Sequence, residues 1–268
     1  ANAAIDRELA DARRYLRGSV WAQLVWSGRA QVSGNAAAPV IAVGAIEAVT
    51  LCDVDGIWRP YNYNLAGTAA AIGAGAIEGG GSLASSSHYY VYAYNDGSTT
   101  VAFQVSATRP TTSGATTIAQ AWKRGQSANY RYLFAFATDS SGDPLPGVLA
   151  AGRWTYRSSA CGGTDVVLSN GQATTWTAVD LSALVPPHAR VVRLRCKVER
   201  AAADSAVGLE LRTPGDATAI EACLAPNVST SNTRADATIE LVVPAQSIEY
   251  QLGAAVTFGA TIAVLGWE

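Results

Sequence analysis

From residue 158 to the end of the chain, short apolar runs follow one another with no helical period between them. The runs are Asp165 to Leu168, Thr174 to Leu181, Ala189 to Glu199, Val207 to Thr213, Ile220 to Leu224, Ala237 to Val243, Ser247 to Leu252 and Thr261 to Leu265. Ser169-Asn170-Gly171, Pro186-Pro187, Pro214-Gly215-Asp216 and Pro244 punctuate them. Strands of this length, spaced by turn residues and never alternating with helices, can bury their apolar faces only by stacking sheet on sheet. The sequence therefore predicts a carboxyl-terminal β-sandwich, jelly-roll-like, over 158–268, with Val191, Leu194, Cys196 and Val198 on its core face.

The stretch 19–157 reads as a second β-rich domain. Val20 to Trp26, Val40 to Val43, Ala45 to Leu51, His88 to Tyr94, Thr99 to Val105, Arg131 to Thr138 and Trp154 to Arg157 are strand material. Turns are expected at Ser27-Gly28, Ser33-Gly34-Asn35, Asp53 to Gly56 and Asn95-Asp96-Gly97-Ser98. Only residues 2–17 have a helical period. Ile5, Leu9, Ala12 and Leu16 form one stripe, acids sit toward its amino end and arginines toward its carboxyl end, and Gly18 stops it. A helix this short is marginal alone, so residues 1–18 are expected either to trimerise as a parallel bundle around an axis or to pack on the adjoining domain. The expected fold class is thus mainly β: two sandwich- or jelly-roll-like domains behind a short amino-terminal helix.

Composition narrows the function classes. With 19 Lys plus Arg against 21 Asp plus Glu, the net charge is -2, which lacks the basic footprint of a nucleic-acid binder or a polybasic membrane anchor. No apolar run reaches the roughly 20 residues of a membrane helix, so no membrane insertion is expected. Only 15% of residues are charged while Gly numbers 25, so solubility rests on hydroxyls and backbone, and surface is expected to be buried in an oligomer. Residues 1–17 are mixed in charge and lack the apolar region of a signal peptide. Methionine is absent, which suggests a trimmed start, by initiator removal at the small residue Ala1 or by loss of an upstream segment. The bases are almost all arginine, a bias of GC-rich bacterial coding.

No residue set announces chemistry. The histidines, His88 and His188, lie at strand ends, and no G-x-S-x-G elbow accompanies them. Asp53 with Asp55, and Asp139 with Asp143, are the nearest paired carboxylates for glycoside hydrolysis, but both fall in Gly-containing turns that favour Asp for its own hydrogen bonds. Asp53-x-Asp55-Gly56 opens like a calcium loop and lacks the remaining ligands. Cys52, Cys161, Cys196 and Cys223 fit no zinc spacing and read as buried thiols, with a Cys196–Cys223 bridge as the alternative. No catalytic residue, cofactor or metal ligand is therefore assigned. The aromatics are the remaining signal. Tyr90, Tyr92 and Tyr94 share one strand face, which predicts a cross-strand packing ladder or, alternatively, an aromatic platform. With Trp122 and Trp176 they are the candidate ligand or partner surface.

One resemblance rests on ordered motifs. Tyr89-Tyr90-Val91-Tyr92, Asn95-Asp96, Ser106 to Thr111, Tyr130 to Phe136 and Thr138-Asp139-Ser140-Ser141-Gly142 follow the order of a segment recurrent in phage and prophage tail-fibre or virion-surface proteins. Trp176 to Ser182, Val185 to Arg190 and the closing Ile262 to Trp267 are similar to the carboxyl-terminal part of that class. The chain departs from it where His88 replaces a leading Trp and where Leu133-Phe134-Ala135 replaces an Arg-x-Gly segment. The resemblance covers residues 85–268 and implies a virion structural protein made in the bacterial cytoplasm. The resemblance further implies a homotrimer, attached to other virion proteins through its amino-terminal region and facing a host-surface glycan. The alternatives are a secreted or surface carbohydrate-binding module, and a capsid decoration or injection-system appendage protein.

Overall fold

The computed structural model describes residues 24–26, 28–44, 46–52, 58–62, 70–72, 77–95, 101–111, 122–123, 130–157, 165–201, 207–216, 222–224 and 233–268. They are mainly β, in antiparallel sheets, with no helix among them. The helix expected over 2–17, with Ile5, Leu9, Ala12 and Leu16, lies outside the described residues. The chain forms two compact units, Ala1–Pro144 and Leu145–Glu268.

The first unit contains β1 (Leu24–Trp26), β2 (Ala30–Asn35), β3 (Ala38–Val43), β4 (Ile46–Cys52), β5 (Trp58–Asn62) and β6 (Ala70–Ile72). It continues with β7 (His88–Asn95), β8 (Val101–Ser106), β9 (Pro110–Thr111), β10 (Trp122–Lys123) and β11 (Tyr130–Ala137). Pairing runs β1-β4-β5, β2-β3-β6 and β8-β7-β11-β10-β9. The expected turn at Ser33-Gly34-Asn35 is instead the end of β2, whose Asn35 pairs with Ala38. Gly34 adopts φ 95, and a Cβ there would lie 2.5 Å from the Ala38 carbonyl oxygen. Asn35 Oδ1 accepts from Ala38 N at 2.8 Å, so the turn-forming residues close the hairpin from its flanks.

At the centre of the five-stranded sheet, β7 and β11 are buried on both faces; Val91, Tyr92, Ala93 and Ala135 are all 0% exposed. Ahead of β7, Ala84 is tied down by Tyr89 Oη, which accepts from Ala84 N, and by Thr138 Oγ1, which donates to Ala84 O. Register slips between Tyr132 and Phe134, so Leu133 occupies a bulge.

The second unit contains β12 (Gly147–Ala150), β13 (Arg153–Tyr156), β14 (Val166–Gly171), β15 (Thr177–Asp180), β16 (Val191–Arg200) and β17 (Leu209–Arg212). It ends with β18 (Ala222–Leu224), β19 (Thr233–Val242), β20 (Ser247–Leu252) and β21 (Gly259–Trp267). One sheet runs β19-β16-β21-β13-β12, with β14 also on β21; the other runs β15-β20-β17-β18. The restart of the pattern at 158 falls between β13 and β14, which both pair with β21, so this compact unit begins at Leu145.

The sandwich-like core follows the two-residue period of its strands. Val192, Leu194, Cys196 and Val198 of β16 are 0% exposed, as are Leu209, Leu211 and Ile248. Val191, expected on the core face, points the other way: it is one residue out of step with Leu194, so alternation puts Val192 inside. Trp154, only 1% exposed, stacks on Trp267 at 6.3 Å. It fits because glycines border it, since a Cβ at Gly147 would run into its indole and one at Gly266 into its carbonyl oxygen.

Candidate functional site

The outward face of the β15-β20-β17 sheet gathers an aromatic ring with paired charged and amide side chains. In β20 and β17, Ile248, Tyr250, Leu252, Leu209 and Leu211 point inward, so Glu249, Gln251, Glu210 and Arg212 point outward, half-buried. The register sets Arg212 opposite Glu249 and Glu210 opposite Gln251. Arg212 Nε donates to Glu249 Oε2 at 2.6 Å, and Gln251 Nε2 donates to Glu210 Oε2 at 2.5 Å.

Trp176 joins this face from the segment leading into β15. Leu252 N donates to Ala173 O at 2.8 Å and Ala173 N to Tyr250 Oη at 3.3 Å, which holds that segment on β20. Thr177 then pairs with Tyr250, and the Arg212 guanidinium lies 4.1 Å from the centroid of the half-buried indole. Glu249 thus fixes the arginine that stacks on Trp176. An indole stacked on a guanidinium that a carboxylate holds in place sets an aromatic ring beside fixed hydrogen-bonding groups, the combination that suits the C–H faces and hydroxyls of a sugar ring.

The tyrosine stripe is a ladder. Tyr90 is 3% exposed and Tyr92 0%, which withdraws both from the candidate ligand surface: the bulky partners on β11 cover them. Tyr92 meets Tyr132 at 6.1 Å, Tyr90 meets Tyr132 at 6.4 Å, and the half-buried Tyr94 stacks on Tyr130 at 4.9 Å. Tyr92 Oη donates to Thr108 O at 2.7 Å. Burial pushes the Tyr90 hydroxyl up to about 12 despite the pull of Arg109, and raises Tyr92 and Tyr132 as well. Trp122 stands in β10 opposite Arg131 and Thr111.

The other singled-out residues have local roles. Asp139 Oδ1 accepts from Ser141 N at 2.8 Å and Asp143 N at 3.0 Å, while Asp143 Oδ1 accepts from Ala36 N at 2.8 Å. These carboxylates organise backbone. His188 meets Trp267 edge-on at 5.6 Å, and His88 lies opposite Ala137. Asp53 and Asp55 fall outside the described residues. Cys196 is a free buried thiol, so the Cys196–Cys223 bridge does not form. Among the described residues, no group of three or more His, Cys, Asp or Glu side chains converges for a metal ion. No helix among them is long and apolar enough to cross a membrane.

Sequence reasoning singled out Trp176 but missed Arg212, Glu249, Glu210 and Gln251. The alternation in Leu209-Glu210-Leu211-Arg212 and Ser247-Ile248-Glu249-Tyr250-Gln251-Leu252 marked them as outward; the pairing of β17 with β20 was the missing step. No family model, curated protein or solved structure matches the chain.

Proposed function

We propose that the chain is a non-enzymatic virion structural protein: a trimeric tail-fibre or spike subunit whose amino-terminal helix attaches and trimerises it. Its carboxyl-terminal unit, jelly-roll-like in this reading, presents a sheet face to a host-surface glycan. The observation that supports the glycan role is the Arg212 guanidinium over the Trp176 ring at 4.1 Å, with Glu249 holding that arginine at 2.6 Å. Aromatic rings beside hydrogen-bonding side chains are a general solution for polar ligands that also carry apolar faces. The virion assignment draws on the order of the strand and turn motifs over 85–268.

The test combines a glycan array with light scattering. The full chain is expected to bind a subset of glycans, with Trp176→Ala and Arg212→Ala each weakening binding at least tenfold, and to have the mass of a trimer that is lost when the chain starts at Gly18. A monomer that still binds through Trp176 would transfer the reading to a secreted or surface carbohydrate-binding module. Glycan binding indifferent to both substitutions would remove this face from the function.

A further inference from the structure

β19 closes one side of its sheet. Its inner edge is bonded to β16 through all of Thr233 to Val242, and among the described residues no strand lies along its outer edge. The phase of that bonding determines what the outer edge offers. Val243 N donates to Arg190 O at 2.8 Å, so the odd-numbered residues of β19 turn their peptide groups toward β16. Those of Arg234, Asp236, Thr238 and Glu240 therefore point outward. The same parity explains why Val242 O accepts from Thr213 Oγ1 at 2.9 Å, which caps one end of the edge. The side chains of Arg234, Asp236, Thr238 and Glu240 are exposed as well.

A row of outward peptide groups is completed by another strand. The charge pattern indicates which strand. Against a second copy of itself, antiparallel about a twofold axis, β19 has few registers that match outward peptide groups with outward peptide groups. With Asp236 on the axis, Asp236 faces its own copy. With Thr238 on the axis, Asp236 faces Glu240. With Ala237 on the axis, Arg234 faces Glu240 at both ends and Asp236 faces the neutral Thr238, while shifts beyond these shorten the ladder. Like charges directly opposite destabilise a sheet pair and opposite charges support it.

Both charged ends are already set on the exposed face. Arg234 holds Asp236 at 2.5 Å and Arg153 holds Glu240 at 3.2 Å, with Arg193 opposite Glu240 on β16. These are exposed pairs of small energy, so neither competes strongly with a facing strand.

We infer that β19 is a self-association edge, on which two copies of the chain pair antiparallel about a twofold axis through Ala237 and join their sheets. The contact uses β19 alone, so it is separable from any trimer formed through the amino-terminal region. Charge disfavours the registers on Asp236 and Thr238 and ladder length disfavours the rest, which makes the edge specific.

Sedimentation velocity of the full chain from micromolar to millimolar concentration tests this. The mass is expected to rise at least twofold with concentration. Arg234→Glu and Glu240→Arg should each weaken doubling at least tenfold, and an equimolar mixture of the two variants should regain it, since opposite charges then face each other at both ends. No doubling at millimolar concentration, or doubling unaffected by either reversal, overturns the inference. A covalent readout guards against variants that misfold. In the proposed register, residue 237 meets its own copy at a non-hydrogen-bonded position, about 4.5 Å between Cα atoms and within disulfide range. Ala237→Cys should cross-link two chains under mild oxidation and Ala235→Cys, opposite residue 239, should not. The reverse pattern, or no cross-link at 237, also overturns it.

Discussion

Arg212 stacks on Trp176 at 4.1 Å while its Nε is held by Glu249 at 2.6 Å, so one guanidinium ties the segment before β15 to the adjoining strands β17 and β20. The pair with Glu249 is shielded, with side-chain exposures of 14% and 20%. Glu249→Gln keeps the shape and removes the charge, and should cost about 1–2 kcal/mol in urea unfolding. Arg212→Lys should recover little, because the ammonium lacks the planar fork that stacks and bonds at once. In a double-mutant cycle, Trp176→Ala and Arg212→Ala should couple by about 0.5–1 kcal/mol. A coupling near zero would show that the stacking contributes nothing.

Asp236 sets an acid-limb prediction. The Arg195 hydrogen bond, reinforced by Arg234, lowers its carboxyl from the ordinary 3.8 to about 2. A depressed folded-state value adds stability that is complete above the unfolded pKa and disappears as pH falls through the folded one. Melting temperature should therefore fall between about pH 4 and pH 2 more steeply in wild type than in Asp236→Asn. The difference should shrink in high salt, because the pairs are solvent-accessible. Parallel pH profiles for the two proteins would contradict the assignment.

The Cys196 thiol is predicted to be inert in the native protein. Burial, with the nearby Asp236 charge second, pushes it up to about 12, so almost no thiolate exists at neutral pH. Alkylation followed by peptide mapping should leave Cys196 unmodified until the second unit unfolds. Rapid native labelling would mean that the core opens locally around β16.

Gly147 is predicted to be intolerant of the smallest side chain. A Cβ there runs into the Trp154 ring, which is itself buried and stacked, so the ring cannot simply move aside. Gly147→Ala should cost about 1–3 kcal/mol, the usual range for overpacking, measured by chemical unfolding. A neutral result would mean that the β12–β13 hairpin shifts freely.

Alternation and turn chemistry were enough to locate β7, β11, β16 and β20, because each has one apolar residue in every two or a dense aromatic run. Alternation could not place the β12–β13 hairpin, since Gly147 to Tyr156 reads equally well as the end of one unit or the beginning of the next; it belongs to the compact unit that begins at Leu145. It left the tyrosine stripe open between a packing ladder, which the structure shows, and a candidate surface. Period two tells which residues share a face, but whether that face is covered depends on strands far away in sequence. Trp176 stood out by residue type alone, whereas Arg212 and Glu249 acquire meaning only once β17 lies beside β20. The three outward charges and one hydroxyl of β19 were similarly plain in the sequence, but their bearing on self-pairing requires the bonding phase against β16.

The Trp154–Trp267 stack gives the second unit an optical signature of its own. Two indoles held 6.3 Å apart at an interplanar angle of 24°, exposed by only 1% and 6%, form a fixed and dehydrated chromophore pair. Their coupled near-ultraviolet dichroism should vanish in a single step when β13 separates from β21. The disappearance of that band would report the opening of this sheet independently of any change around the tyrosine ladder.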